Sequence, residues 1–329
     1  MKILALISLG IGIGSGHFSR TLKLINQLKD KKNKVLFIFN KKEEFKNIDK
    51  NFKFDFTNFH NESLILNKIS KFSPDLIILD SYIISYNLNK EIYKINKNII
   101  SIDDNLNKKH ICKYYINYNF KDKKFKSKLN QKIYSKNNFI GPKYFFSDYS
   151  SLIQKKIKKK QILVFLGSTN ENNILSKILP ICQDKKLSNF KFKIISGQFN
   201  DKKFKNYQIK NLKIYKSLPQ KKYLNLLSNS EFYITSGGVS AWEGLAFKKK
   251  MLVISTASNQ LNNLRHLKEN KLINYIGTSK NFNYKKNKKK IINFFFNKNS
   301  NLLIKNMNKF KVAQKFKHLV YVIKRNYEV

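Results

Sequence analysis

The chain has 329 residues, 42% hydrophobic and 14% aromatic, which is enough apolar material for sizeable cores and excludes a disordered chain despite 26% charged residues. Eleven Gly, four Pro and two Cys 70 positions apart (Cys112 and Cys182) exclude a collagen-like chain, a disulfide scaffold and a metal knuckle, and point to a reducing, cytoplasmic setting. The formal charge is +46, from 66 Lys and Arg against 20 Asp and Glu, but only Arg20, Arg265 and Arg325 are Arg; bidentate reading of bases and phosphates prefers Arg, so the excess reads as Lys on exposed positions and not as a nucleic-acid interface, with at most a weak peripheral attraction to an anionic membrane or an anionic substrate.

No stretch approaches the roughly 18 apolar residues of a membrane span. Residues 1–10 hold a short apolar run without a small-residue cleavage site, so 2–9 are expected as a first buried strand. A glycine-rich turn follows, Gly10-Ile11-Gly12-Ile13-Gly14-Ser15-Gly16-His17. Leu22, Ile25 and Leu28 then recur at helical spacing. Further short apolar runs stand at 35–39, at 76–79 closing on Asp80, and at 99–102 closing on Asp103-Asp104; 114–117 is another strand candidate. Such runs alternating with helix-length segments mean a parallel α/β sheet. The pattern breaks around 141–161, at Gly141-Pro142 and the polybasic segment 155–160. It restarts with runs at 162–166, 192–195, 232–235 and 251–254, and a helix is expected to begin near Asn172. The expected organisation is two similar-sized α/β domains, 1–150 and 151–329, with a cleft between them and a Lys- and Asn-rich tail on the second.

Open α/β sheets bind ligands at the carboxyl ends of their strands, and the residues able to do chemistry fall there. Glycines at 10–16 let the backbone approach phosphate, with helix N-terminal donors behind them. Gly12, Gly14 and Gly16 lack the spacing of a dinucleotide fingerprint, and the residues near 40 are Asn40, Lys41 and Lys42, with acids only at Glu43 and Glu44. A nicotinamide cofactor is therefore not expected. His17, at a helix start beside glycines, is expected partly exposed, where the positive end of the helix dipole favours the neutral imidazole of a general base. Asp80 either orients that imidazole or caps the next helix. Asp103-Asp104 is either an acid/base pair or a neutraliser of local Lys. In the second half, Ser236-Gly237-Gly238-Val239 opens a helix whose amide donors suit a phosphate. Glu243 falls one to two turns in, where it can hold ribose hydroxyls. Asn259 and Gln260 carry amides that read a sugar or base edge. Gly167-Ser168-Thr169 is another small, polar strand-to-helix turn. Each of these also reads as an ordinary turn between a strand and a helix.

Gly14-x-Gly16-His17-x-x-Arg20, Asp80-Ser81-Tyr82, Ser101-Ile102-Asp103-Asp104 and Gly141-Pro142-Lys143-Tyr144 occur in this order. Together they resemble the nucleotide-sugar hydrolases of pseudaminic acid biosynthesis, which act on UDP-2,4-diacetamido-2,4,6-trideoxy-β-L-altropyranose. Ser236-Gly237-Gly238, Glu243 and Asn259-Gln260 continue the likeness, which spans residues 1–277. The second half alone also resembles GT-B glycosyltransferases that add N-acetylglucosamine to lipid-linked precursors. The resemblance implies a GT-B fold, two Rossmann-like domains with parallel sheets facing a central cleft. It implies hydrolysis of a UDP-sugar by water at the anomeric carbon, with inversion, no metal and no cofactor. His17 would be the base, with Asp80 beside it and Tyr82 near the sugar. Gly14, Ser15, Gly16, Arg20, Gly167, Ser168, Thr169, Ser236, Gly237, Gly238, Val239, Glu243, Asn259 and Gln260 would bind substrate. A monomer is expected. The alternative is a GT-B glycosyltransferase using a UDP-sugar at a membrane surface, toward which the Lys excess would draw it. Two departures stand out: Ser168 replaces the second glycine of the usual Gly-Gly turn, and Asn105-Leu106-Asn107 precede the first basic residue after the Asp pair, Lys108.

Overall fold

The structure, a computed structural model, describes residues 1–9, 16–29, 33–42, 52–119, 123–147, 157–167, 171–197, 210–297 and 300–327. The chain forms two compact units, Met1–Phe146 with Ala313–Val329, and Ser147–Val312. Among the described residues no helix is long and apolar enough to cross a membrane.

The first unit runs β1 (Lys2–Ile7), α1 (Gly16–Leu28), β2 (Lys34–Phe39), β3 (Phe52–Phe56), α2 (Glu62–Phe72), β4 (Leu76–Asp80), α3 (Tyr86–Ile95), β5 (Ile99–Ile102), β6 (His110–Asn117), α4 (Lys123–Lys132) and β7 (Ile133–Ile140). Its seven strands are parallel in the order β3-β2-β1-β4-β5-β6-β7. β1 and β4 are apolar and covered on both faces, as central parallel strands require. Ile3, Ala5 and Ile7 pack with Phe18, Leu24, Ile25 and Leu28 of α1. Leu4 and Leu6 point the other way, to Ile65 and Ile69 of α2 and Leu88 and Ile92 of α3. The strand order reverses between β1 and β4, where Ile7 pairs with Asp80. That places Asp80 at the switch point of the sheet, facing the start of α1.

The second unit runs β8 (Lys158–Phe165), α5 (Ile174–Cys182), β9 (Lys191–Ile195), β10 (Leu212–Tyr215), α6 (Gln220–Asn229), β11 (Ser230–Ser236), α7 (Val239–Ala246), β12 (Lys250–Ser255), α8 (Leu261–Glu269), β13 (Asn274–Thr278), α9 (Tyr284–Phe296) and α10 (Ser300–Lys309). Its strands are parallel in the order β10-β9-β8-β11-β12-β13. The Lys-rich α9 turns an aromatic face inward: Phe294 and Phe295 stand 5.7 and 5.1 Å, edge to face, from Phe232 of β11. Helix α5 starts at Ile174 and not at Asn172, because Asn172 and Asn173 both have positive φ (54° and 53°).

The last helix, α11 (Phe316–Lys324), corrects the expected domain boundary. The tail from Ala313 belongs to the first unit, and the chain leaves that unit after Phe146. The reason is an apolar stripe: Phe316, Leu319, Val320 and Ile323 are buried on the α1 side of the first sheet. Gly141, at φ 102°, turns the backbone after β7 into a single helical turn, Pro142–Tyr144. The carbonyls of Pro142 and Lys143 then accept the amides of Ala313 (3.0 Å) and Lys315 (2.8 Å), fixing the returning chain. Leu319→Ala is expected to lower stability by about 2–5 kcal/mol in urea titration, the usual cost of emptying a fully buried leucine site. An unchanged midpoint would show that α11 is not part of this core.

Candidate functional site

In the first unit, β1, β4, β5 and β6 end side by side, and α1 starts over them. His17, in the first turn of α1, turns its ring down toward the end of β4. Its Nδ1 lies 2.5 Å from Asp80 Oδ1 and 3.2 Å from the Asp80 carbonyl. Both Asp80 oxygens only accept, so Nδ1 carries the ring proton and Nε2 is the basic nitrogen; Arg20 Nη2 also lies 3.3 Å from Nδ1, but its nearer acceptor is Asp80 Oδ1. The expected partial exposure is not found: His17 is 4% exposed. The carboxylate draws the ring inward, and Tyr82 packs against it edge to face with centroids 4.5 Å apart.

Three residues after His17, on the same helix face, Arg20 donates from Nε to Asp80 Oδ2 (2.7 Å) and from Nη2 to Asp80 Oδ1 (2.5 Å). Its Nη1 donates to Asp104 Oδ1 (2.6 Å) and Tyr118 Oη (2.8 Å). Thr21 Oγ1 adds a fourth donor to Asp80, at 2.9 Å. Burial alone would raise the pKa of Asp80; the Arg20 guanidinium, then His17, outweigh it and hold the carboxyl well below the usual carboxylate range. One guanidinium faces two carboxylates in this set.

Arg20, expected to contact substrate, is buried with its fork directed at Asp80, Asp104 and Tyr118. The Asp pair divides. Asp104 accepts from Arg20 and, at 2.6 Å, from the Tyr82 hydroxyl. Asp103 turns inward and accepts from Tyr115 Oη (2.8 Å) and the Leu106 amide (2.8 Å), pinning its own loop. The loop carrying Tyr82 is fixed from two sides, by Ser8 Oγ and Ser81 Oγ at 2.5 Å and by Lys108 Nζ on the carbonyls of Ser81 and Ile84. Burial lowers the Lys108 pKa to about 8. Gly16 opens α1; Gly14 and Ser15 lie outside the described residues. Thr21, Asp104 and Tyr118 complete the network. Asp104 was legible as an acid at a strand end, while Thr21 and Tyr118 carried no signal in the sequence.

In the second unit the neighbouring strands β8, β11 and β12 end together. Gly167, at φ 102°, lies against Ser236: a Cβ on it would stand 3.9 Å from Ser236 Oγ. Gly238 is the N-cap of α7, whose first residue is Val239, and no side chain caps that helix. Gln260, expected to read a sugar or base, has its Oε1 occupied by the amides of Gly237 and Thr256, both at 3.0 Å. It thereby ties the glycine turn to the segment after β12. Asn259 Oδ1 is buried without a hydrogen-bond partner. Glu243 does not stand on the surface: it is 4% exposed and accepts from Tyr223 Oη at 2.5 Å, with Tyr233 Oη 3.0 Å beyond. Ser168 and Thr169 lie outside the described residues.

A Cβ on Gly237 would come within 2.5–2.9 Å of the Leu264 side chain, whereas one on Gly238 would meet only Gln260 Nε2, at 3.8 Å. Gly237→Ala is therefore expected to cost about 1–3 kcal/mol of stability by overpacking, and Gly238→Ala distinctly less. Equal losses on thermal unfolding would contradict this reading of the turn.

No protein-family profile matches the chain. An uncharacterized protein of Methanocaldococcus jannaschii is 26% identical over 268 residues, 74% of this chain and 54% of the relative, so the chain spans about half the length of that protein. Among solved structures, Phytolacca americana UGT2, complexed with UDP-2fluoro-glucose and pterostilbene, superposes with TM-score 0.65 at 12% identity over 99% of this chain and 100% of its own. A putative UDP-N-acetylglucosamine 2-epimerase from Listeria monocytogenes gives 0.64 at 12% over 100% and 96%. MurG of Acinetobacter baumannii gives 0.59 at 11% over 99% and 100%. At such identities the likeness speaks for architecture alone. With its two parallel α/β sheets, the chain has the GT-B fold.

Proposed function

We propose that this chain displaces UDP from the anomeric carbon of a UDP-sugar with an oxygen nucleophile deprotonated by His17, water being the nucleophile and the free sugar the product. The observation that carries the proposal is the His17–Asp80 pair, in which the carboxylate holds the Nδ1 proton and leaves Nε2 as the base. In the step, Nε2 takes a proton from water as its oxygen bonds to the anomeric carbon. The bond from that carbon to the diphosphate oxygen breaks, and its electron pair leaves with UDP. A single displacement inverts the configuration. The imidazolium that forms faces Asp80, and the surplus negative charge of the Asp80–Asp104–Arg20 set stabilises it. The glycine turn at the start of α7 suits the diphosphate, since amides of a first helical turn favour negative charge.

Water as nucleophile and a diacetamido-trideoxy sugar are supported by the motif series from Gly14 to Tyr144. A second reading has its own support, because two fold neighbours are named a calicheamicin glycosyltransferase and a glycotransferase of kitacinnamycin: the same base would then deprotonate an acceptor hydroxyl. UDP-sugar chemistry of either kind fits a cytoplasmic setting. Incubation with UDP-2,4-diacetamido-2,4,6-trideoxy-β-L-altropyranose and no acceptor separates the two. Stoichiometric UDP and free sugar support hydrolysis, and UDP release only on adding an acceptor supports transfer. No UDP release under either condition, together with no affinity for UDP, would remove both.

A further inference from the structure

We infer that Tyr82 meets the sugar as a hydrogen-bond acceptor only, so that the site selects a substituent carrying an O–H or N–H donor; this rests on the UDP-sugar reading above. A tyrosine hydroxyl has one proton to give. Here Asp104 Oδ2 takes it, at 2.6 Å. The other oxygen of Asp104 is held at 2.6 Å by Arg20, which is fixed in turn by Asp80 and Tyr118. Asp104 therefore cannot turn away without breaking an ion pair with a buried guanidinium. Burial and the adjacent Asp104 raise the Tyr82 pKa, so the hydroxyl stays protonated and the direction of its bond persists. The half-buried Tyr82 sits just past the end of β4, its ring against the base His17. What its oxygen offers there is lone pairs. A sugar hydroxyl or amide N–H opposite Tyr82 is paired; a deoxy carbon, a fluorine or a carbonyl oxygen leaves those lone pairs unanswered. Tyr82 is also excluded as a proton donor to the departing diphosphate, because its proton is already committed.

The geometry also says how to invert the preference. In Asp104→Asn the amide oxygen keeps the Arg20 bond, and the NH₂ then donates to the Tyr82 oxygen. The hydroxyl proton turns outward, and the residue becomes a donor. The probes are UDP-glucose and its 2-, 3- and 4-deoxyfluoro derivatives, with affinity measured by calorimetry. In the wild type, one fluorinated probe is expected to bind roughly tenfold more weakly than UDP-glucose. Tyr82→Phe should erase that difference, and Asp104→Asn should erase or reverse it. A second readout needs no ligand. The Tyr82 hydroxyl proton should appear as a downfield, slowly exchanging NMR signal, absent from Tyr82→Phe and displaced in Asp104→Asn. A hydroxyl signal indifferent to Asp104→Asn, or a fluorine penalty that survives in Tyr82→Phe, overturns the inference and leaves the UDP-sugar reading standing. Failure of every probe and of UDP itself to bind the wild type overturns the UDP-sugar reading, and the sugar selection with it.

Discussion

His17→Ala is expected to lower turnover by roughly 10²–10⁴, the usual range for losing a general base, while leaving UDP affinity close to that of the wild type. The split follows from position. His17 belongs to the first unit, beside Asp80, and the glycine turn proposed for the diphosphate belongs to the second. Loss of the imidazole leaves Asp80 still bonded to Arg20 and Thr21, so the fold should tolerate it. Steady-state kinetics paired with UDP titration check both halves. Unimpaired turnover would dismiss His17 as the base, and a parallel loss of UDP binding would mean that the variant had disturbed more than the chemistry.

Asp80→Asn should damage both activity and fold. Asp80 is fully buried, and both its oxygens accept from donors: Arg20 twice, His17 and Thr21. An amide NH₂ in either place opposes a donor with a donor and leaves the Arg20 charge half answered. Breaking one partner of a buried ion pair costs about 3–5 kcal/mol. Turnover should fall by roughly 10³–10⁴, because the amide no longer fixes the Nδ1–H tautomer or stabilises the imidazolium. The effect depends on pH with a definite sign. The Asp80 pKa is depressed in the folded state, so its contribution is complete above the unfolded carboxylate value of about 3.9 and is lost as pH falls toward the folded value. The stability gap between wild type and Asp80→Asn should thus be widest at neutral pH and narrow below about pH 4. A gap independent of pH would show that folding does not depress the Asp80 pKa. Asp103 is depressed in the same direction, by His110 3.6 Å away and by the hydrogen bond from Tyr115 against the cost of burial, and it adds to the acid sensitivity of the wild type but not to the difference.

The central strands were legible because burial on both faces leaves a continuous apolar run, as in Ile3–Ile7 and Leu76–Leu79. The strands that escaped notice are the edge strands of the sheets, where Lys, Asn, Asp or Gly interrupts the apolar run: β3 reads FKFDF, β7 reads IYSKNNFI, β10 reads LKIY and β13 reads NYIGT. Composition also hid the role of α11. The Lys- and Asn-rich tail was expected on the second domain, yet four residues at helical spacing were enough to dock it on the first unit. In the site, the residue types at strand ends marked His17, Asp80 and Asp104, because parallel sheets put functional groups there. Their allocation was not legible. Whether Arg20 faces substrate or two carboxylates, and whether Glu243 faces a ribose or Tyr223, depends on side-chain direction, which spacing does not encode. Gln260 shows the same limit: an amide beside a glycine turn reads as a ligand contact, but here it closes the turn on itself.

The most direct trial of base-assisted attack at the anomeric carbon is turnover in ¹⁸O-labelled water, with mass spectrometry of both products, for the wild type and His17→Ala. Label should enter the anomeric hydroxyl of the released sugar, with none in UDP, and its rate of entry should collapse in the variant. Label in the terminal phosphate of UDP, or entry into the sugar at an undiminished rate without His17, would contradict the mechanism.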